Sequence, residues 1–153
     1  MKIAEGLARR ADIQKKLSEL QGRFRASAQV QEGDQPVEDP QELVRQMAAL
    51  SLELEALVLR LNRSNLQVIE GQTILDRITQ RDLLKQQAGL MKALADAATV
   101  TVGPFARYSR TEIKTVPLVD PTPLREQADQ LTAAARALDM EIQRLDWTTD
   151  MVD

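Results

Sequence analysis

The sequence predicts a mainly α fold, in which long antiparallel helices form a bundle with a coiled-coil-like core and a short two-stranded β-ribbon precedes the last helix. All six prolines of this 153-residue chain lie within residues 36–40 or 104–123. Because proline inside a helix costs about 3 kcal/mol, helices can run through the stretches 1–35, 41–103 and 124–153. Within them, apolar residues alternate at spacings of four and three, which is typical of helices with one buried face.

The first two helices are predicted over about 2–27 and 40–62. The seam of the first has a 4-3-4 spacing, extended upstream by Ile3 and Leu7, and consists of Ile13, Leu17, Leu20 and Phe24. The second helix starts with Asp39 as N-cap and Pro40 at the first helical position. Its seam consists of Leu43, Met47, Leu50, Leu54, Leu57 and Leu61. Apolar residues outside that seam indicate contact with more than one neighbour; they are Val44, Leu52, Val58 and Leu59.

The third and fourth helices are predicted over about 74–98 and 122–146, the third after a loop through Gly71. The third helix carries Leu75, Ile78, Leu83 or Leu84, Leu90, Met91 and Leu94. Its Gly89 costs about 1 kcal/mol relative to alanine, which indicates a close approach of another helix there. The fourth helix has the most regular seam, formed by Leu124, Ala128, Leu131, Ala135, Leu138, Ile142 and Leu145.

The β-ribbon is predicted over about 99–119, where apolar or β-branched residues alternate with polar ones on either side of Gly103-Pro104. An isolated two-stranded ribbon is marginal in water, so we expect it to pack on helices or on another subunit. All these elements are expected to form a single helical domain over residues 1–153.

The composition excludes several classes of enzyme. The chain contains no histidine and no cysteine, so a Cys/His zinc site, a thiolate nucleophile and a serine triad with a histidine base are all ruled out. Acidic residues such as Glu53 and Glu55 are two apart on a helix and therefore lie on different faces. We interpret the acidic residues as a solvated surface and expect no catalytic residue, metal or cofactor; an all-oxygen Mg²⁺ or Ca²⁺ site is the alternative.

The charge pattern indicates a cytoplasmic protein without a membrane partner. The net charge is −3, which gives no general attraction to nucleic acid or anionic lipid. No stretch of 18 uninterrupted apolar residues occurs, and charges interrupt the first ten residues before a signal-peptide apolar region could form.

Candidate interaction residues lie in three places. Those on the ribbon are Phe105, Arg107, Tyr108 and Arg110, and those at the end of the second helix are Asn62, Arg63 and Asn65. Trp147 lies near the carboxyl end. The ribbon residues suit a phosphate or base but also a protein interface, and the acidic balance favours a subunit interface over nucleic acid. The sequence around Asn62 is either a polar binding loop or a helix end with asparagine in the left-handed conformation. Lys85 and Lys92 share one helix face, which suits solvation better than a catalytic pocket.

A family resemblance is carried by the segments between the seams. They are Val30-Gln31-Glu32-Gly33-Asp34, Glu38-Asp39-Pro40, Leu61-Asn62-Arg63-Ser64-Asn65, Arg107-Tyr108-Ser109-Arg110-Thr111-Glu112-Ile113-Lys114, Val119-Asp120 and Trp147-Thr148-Thr149. Together the sequence resembles a small bacterial family of uncharacterised helical proteins, some labelled septicolysin, from the first helix to Trp147. Ser64 and Asp146 depart from the threonine and asparagine expected there. The resemblance implies a homo-oligomer, specifically a hexamer, and no established activity.

Our main functional hypothesis is therefore a non-enzymatic, homo-oligomeric helical protein that acts in assembly or interaction. The alternatives are a nucleic-acid or nucleotide-binding accessory protein that uses the ribbon, and a hydrolase that uses carboxylates and a divalent ion. Cytolysin activity is not expected, because the chain has one tryptophan and no secretion signal.

Overall fold

The computed structural model describes residues 1–100 and 115–152, which form four helices and one two-stranded sheet. The elements are α1 (Ile3–Ser27), α2 (Pro40–Ser64), β1 (Val68–Ile69), β2 (Gln72–Thr73), α3 (Ile74–Ala98) and α4 (Pro121–Thr148). The mainly α fold, with helices packed on one another and an antiparallel sheet before the last helix, is thus confirmed. Two compact units can be distinguished, Met1–Leu75 with Gln143–Asp153, and Asp76–Ile142.

The sheet of the described residues lies between α2 and α3, in a segment that the sequence indicated as a loop. Val68 pairs with Thr73 and Ile69 with Gln72 in antiparallel register. The two residues that connect them, Glu70 and Gly71, have φ values of 54° and 83°. A two-residue hairpin turn of type I′ requires a positive φ at both of these positions. The ribbon predicted at 99–119 falls largely on residues 101–114, outside the described residues, and stays a prediction.

In the first unit, α1 and α2 form an antiparallel pair. Arg9 near the start of α1 donates to Glu53 of α2 over 2.8 Å, and Arg23 near its end pairs with Glu38 just before α2. The predicted seams of both helices face inward, and their most buried members are Ile3, Ile13, Leu20, Leu43, Leu57 and Leu61. Leu7 does not extend the seam as predicted, because it is 39% exposed and Gly6 takes the buried position instead.

The start of α2 follows the prediction. Asp39 has an extended backbone, its carboxylate accepts a hydrogen bond from the Gln41 amide over 2.9 Å, and Pro40 occupies the first turn. Such a cap satisfies an amide that the helix leaves without a partner. Asp120 acts similarly before α4, because its carboxylate accepts a 2.9 Å hydrogen bond from the Thr122 amide.

A carboxyl-terminal strap, which we define as residues 149–152, covers the start of α1. The Ile3 amide donates to the Thr149 carbonyl over 3.1 Å, and the Met151 amide donates to the Met1 carbonyl over 2.9 Å. The Met151 side chain is buried against Gly6. The start of the first helix is therefore completed by residues near the other end of the chain.

In the second unit, α3 and α4 run antiparallel and are joined by ion pairs. Arg77 contacts Glu141 at 2.7 Å and Arg81 contacts Asp139 at 2.9 Å. The predicted seam of α4 faces inward, whereas the predicted seam of α3 is partly wrong. Leu83, Leu90 and Leu94 are about half exposed, and positions at a seven-residue spacing face inward instead, which are Arg81, Ala88 and Ala95.

Candidate functional site

One face of α2 is exposed although four of its five residues are apolar, and we call it the outer face of α2. It consists of Val44, Ala48, Leu52, Glu55 and Leu59. At 3.6 residues per turn these positions span a sector of about 80°, centred about 140° from the buried seam. Val44, Leu52 and Leu59 are 50%, 69% and 48% exposed. The helix therefore has two separate apolar faces, of which the described residues cover one.

Such a face is informative because a surface helix normally has one apolar stripe. Burying a large aliphatic side chain completely is favourable by about 1.5–3 kcal/mol. Three such side chains, each about two helical turns from the next, therefore form an exposed apolar surface of the kind that mediates protein contacts. The sequence analysis found these residues outside the seam, but it could not show which of them lie together away from α1; the further neighbour that it expected stays a prediction.

The interaction residues predicted at the end of α2 lie at the carboxyl end of that helix in the structure. Asn62 and Arg63 are exposed, and Asn65 is partly buried. The Asn65 amide donates to the Leu61 carbonyl over 3.0 Å, and its carbonyl accepts from Leu75 over 2.8 Å. Its φ of −67° is right-handed, so the expected left-handed asparagine is wrong. The chain reverses later instead, at Glu70 and Gly71.

Ser64, which the sequence analysis did not select, organises the contact between α2 and the strap. Its buried hydroxyl donates to the Arg60 carbonyl over 2.7 Å and accepts from the Val152 amide over 3.0 Å. Arg60 in turn donates to the Val152 carbonyl over 3.1 Å, and Gln67 donates to the Asp150 carbonyl over 3.0 Å. In the sequence, the only sign that Ser64 is unusual was that serine stands where the family resemblance predicts threonine.

Trp147 lies near the end of α4 and is 67% exposed. It follows Arg144 by three residues and therefore shares a helix face with it. Arg144 lies 3.7 Å from Glu70 of the hairpin turn. The remaining predicted interaction residues, Phe105, Arg107, Tyr108 and Arg110, lie outside the described residues.

The resolved carboxyl shifts all favour the charged form. Hydrogen bonds from Arg23 and Gln46 hold the pKa values of Glu38 and Glu42 below their ordinary range. The Lys2 ammonium does the same for the pKa of Asp150. A general acid at neutral pH needs the opposite shift. Over residues 1–100 and 115–152, no three acidic residues form a group that could hold a metal ion.

A groove of about 590 Å³ lies between α3 and α4 within the second unit. Its lining includes small residues from both helices, Ala88, Gly89, Ala128, Thr132 and Ala135. Six charged side chains complete the lining; they are the cations Lys85, Lys92, Arg125 and Arg136 and the carboxylates Asp96 and Asp129. Lys85 and Lys92 are exposed, as expected of a solvated face, and both also line this groove.

These features define a mainly helical protein with an exposed apolar helix face and a groove rich in basic residues. The chain belongs to the family of unknown function DUF6847, whose profile matches residues 10–151. It is also similar to a solved structure, described as a functionally unknown conserved protein from Corynebacterium diphtheriae, with 40% sequence identity, 99% of each chain covered and a TM-score of 0.86. No match was found among curated proteins. Neither description links the chain to septicolysin.

In the part of the chain that the structure describes, every helix is too short or too polar to cross a bilayer.

Proposed function

We propose that this protein is a non-enzymatic, cytoplasmic assembly protein that associates with copies of itself through the outer face of α2. The observation that carries the proposal is the exposure of Val44, Leu52 and Leu59 on one sector of the helix, away from the α1 contact. The strength of the apolar contribution depends on how completely a partner covers these side chains.

The order of residues along this face supports a second copy as the partner. If two α2 helices pair antiparallel around a two-fold axis, Leu52 lies beside its own counterpart near the axis. Val44 then faces Leu59 of the other copy, and Ala48 faces Glu55. Large residues meet large ones, and the small alanine leaves room for the glutamate. This self-complementarity is what a two-fold interface requires.

The resemblance stated above implies a hexamer, and we include that number in the proposal. The α2 pair would supply one of its interfaces. Cytolysin activity is not part of the proposal, and neither comparison names an activity.

The test compares Leu52→Lys with Leu54→Lys, because Leu52 is 69% exposed whereas Leu54 is only partly exposed and lies on the inner seam. We expect Leu52→Lys to lower the assembly mass while helicity is retained, since a lysine at the interface loses its hydration. Leu54→Lys should lose helicity instead. Light scattering after size exclusion measures the mass, and circular dichroism measures the helicity.

The matched control is Ala49→Lys, which adds the same charge at an exposed position of α2 outside the outer face. It should keep the mass of the unmodified assembly. A mass near 17.1 kDa for the unmodified protein at micromolar concentration contradicts self-association. An unchanged mass for Leu52→Lys contradicts the choice of face.

A further inference from the structure

We propose that the groove between α3 and α4 binds a small polyvalent anion, that is, a molecule with at least two phosphate or carboxylate groups. This site belongs to the second unit and shares no residue with the outer face of α2. The proposal of anion binding is therefore tested independently of the proposal of self-association.

The groove has the size of a small-molecule site. Its volume of about 590 Å³ lies within the range of about 300–1,000 Å³ typical of such sites. Lys85 and Lys92 are seven residues apart, which corresponds to about 10.5 Å along the axis of α3. A ligand that contacts both must be elongated or carry its charges at separate positions.

The charges of the lining favour an anion. Four cations and two carboxylates line the groove, although the whole chain has a net charge of −3. Over the described residues, neither Lys92 nor Arg136 makes an ion pair or hydrogen bond, whereas Lys85 lies 3.8 Å from Asp139. Arginine offers two parallel donors to phosphate or carboxylate, and lysine adds a mobile point charge.

Each wall of the groove contributes cations, and those of the two walls can be compared by their level along the helix axes. The contact between Arg81 and Asp139 and the antiparallel direction of the helices place Arg136 within about one turn of the level of Lys85. Lys92 lies farther along the same wall. An anion between the helices is therefore within reach of cations from both sides.

Gly89 provides a separate argument. Glycine weakens the interior of a helix relative to alanine, and at Gly89 this cost falls on the wall of the groove. The close helix approach expected from the sequence is wrong, because no atom of another described helix lies within 4 Å of the position that a Cβ would take. Gly89 lines the groove, and an open backbone there lets a ligand come close to the helix.

The lining also limits the class of ligand. The described residues around the groove include no aromatic ring, so they offer no platform on which a nucleobase could stack. Recognition would depend on the anionic groups of the ligand. The buried alanines would contact the part of the ligand that joins these groups.

The first experiment titrates the intact protein with tripolyphosphate and with citrate by calorimetry, at constant ionic strength, with chloride and acetate as monovalent controls. We expect saturable binding with a Kd below about 1 mM and a Tm rise of about 5 °C or more at one hundred times Kd. Tighter binding of tripolyphosphate identifies phosphate as the preferred group, and tighter binding of citrate identifies carboxylate. Absence of saturable binding for both overturns the proposal.

The second experiment uses variants with opposite effects on stability and binding. Gly89→Ala should raise the Tm of the free protein by about 2–4 °C yet weaken binding about tenfold. Gly22→Ala is the matched control, since that glycine is also within a helix and without neighbours within 4 Å; it should raise Tm and leave binding unchanged. Equal binding by both alanine variants overturns the role of Gly89.

Charge variants complete the test. Arg136→Gln and Lys92→Gln should each weaken binding about tenfold, which corresponds to the loss of one charge-assisted hydrogen bond. Lys16→Gln removes the same charge from an exposed position of α1 and should bind like the unmodified protein. If all three variants lose affinity equally, only the net charge matters and the groove is not the site.

Discussion

At the scale of single residues, Gly6 shows how closely the two ends of the chain are fitted together. An added Cβ at this position would collide with Met151 Sδ and would lie 3.1 Å from Leu61 Cδ2. Met151 is 8% exposed, and its amide is held by the Met1 carbonyl. The Met151 side chain is buried among its neighbours, so an alanine at position 6 requires that side chain to shift and the contact to repack.

We expect Gly6→Ala to destabilise the protein by about 1–3 kcal/mol, because an extra methyl group overfills the contact. The measurement is urea unfolding. Shortening the partner in the double variant Gly6→Ala, Met151→Ala should make the two effects non-additive. Gly22→Ala serves as the control and should stabilise by about 0.5–1 kcal/mol. Additive effects for Gly6 and Met151 would contradict direct contact.

The sequence could not indicate Gly6 as an inward position. Seam analysis selects large apolar residues, so Leu7 was expected to extend the seam, yet the structure exposes it. The reason lies in Met151, which fills the space that a larger residue of α1 would otherwise occupy. A contact between residues so far apart in sequence leaves no periodic signal. The regular seams of α2 and α4, in contrast, depend on local spacing and were predicted correctly.

At the scale of elements, α3 differs most from its prediction. Its inner face includes Arg77 and Arg81, which are 4% and 21% exposed by side chain and contact Glu141 and Asp139 of α4. A search for apolar periodicity treats arginine as a surface residue, so it predicted that the leucines of α3 face inward. Polar pairing across the helix contact is why the orientation of this element could not be derived from hydrophobic spacing.

The ion pair between Arg77 and Glu141 gives a prediction for this contact. Glu141→Gln should destabilise the protein by about 2–3 kcal/mol, since the buried guanidinium loses its carboxylate partner. The double variant Arg77→Met, Glu141→Gln should recover more than half of that loss in urea unfolding. Glu126→Gln, at an exposed position of α4, should have little effect. A double variant less stable than Glu141→Gln contradicts this account.

The hairpin between α2 and α3 is another element that the sequence analysis missed. Its strands have two residues each, which is too short for alternation to be recognised. Glu70 takes a positive φ, although asparagine or aspartate is the usual residue before glycine in such turns. Gly71 was recognised as the sign of a loop, but the strands on either side were not.

At the scale of the whole molecule, the prediction of a single domain over residues 1–153 leads to a test. Helix α4 is continuous from Pro121 to Thr148, and its residues belong to both compact units. Because both units contain part of α4, unfolding of one unit leaves the other with a shortened helix. We expect the two units to unfold together in one transition.

Trp147 makes this measurable, because it is the only tryptophan and belongs to the first unit. Its fluorescence should report the same urea midpoint as circular dichroism, which follows all helices. Separate midpoints would show that the units unfold independently and would contradict the single domain.

The candidate sites show the same limit of sequence reasoning at this scale. The apolar surplus of α2 was visible in the sequence, because Val44, Leu52 and Leu59 repeat at helical spacing. The groove was not, because its cations come from α3 and α4, and either helix alone presents an ordinary charged face. Only the antiparallel contact places Lys92 and Arg136 on the same groove.

The carboxyl-terminal strap has a consequence for how the protein is made. A ribosome synthesises residues 149–152 after α1 to α4, so the Ile3 amide and the Gly6 surface wait for their partners until the fourth helix has been made. Closing so long a loop adds a modest entropic cost that grows only slowly with its length. The first turn of α1 thus becomes fully structured after the last turn of α4 has left the exit tunnel.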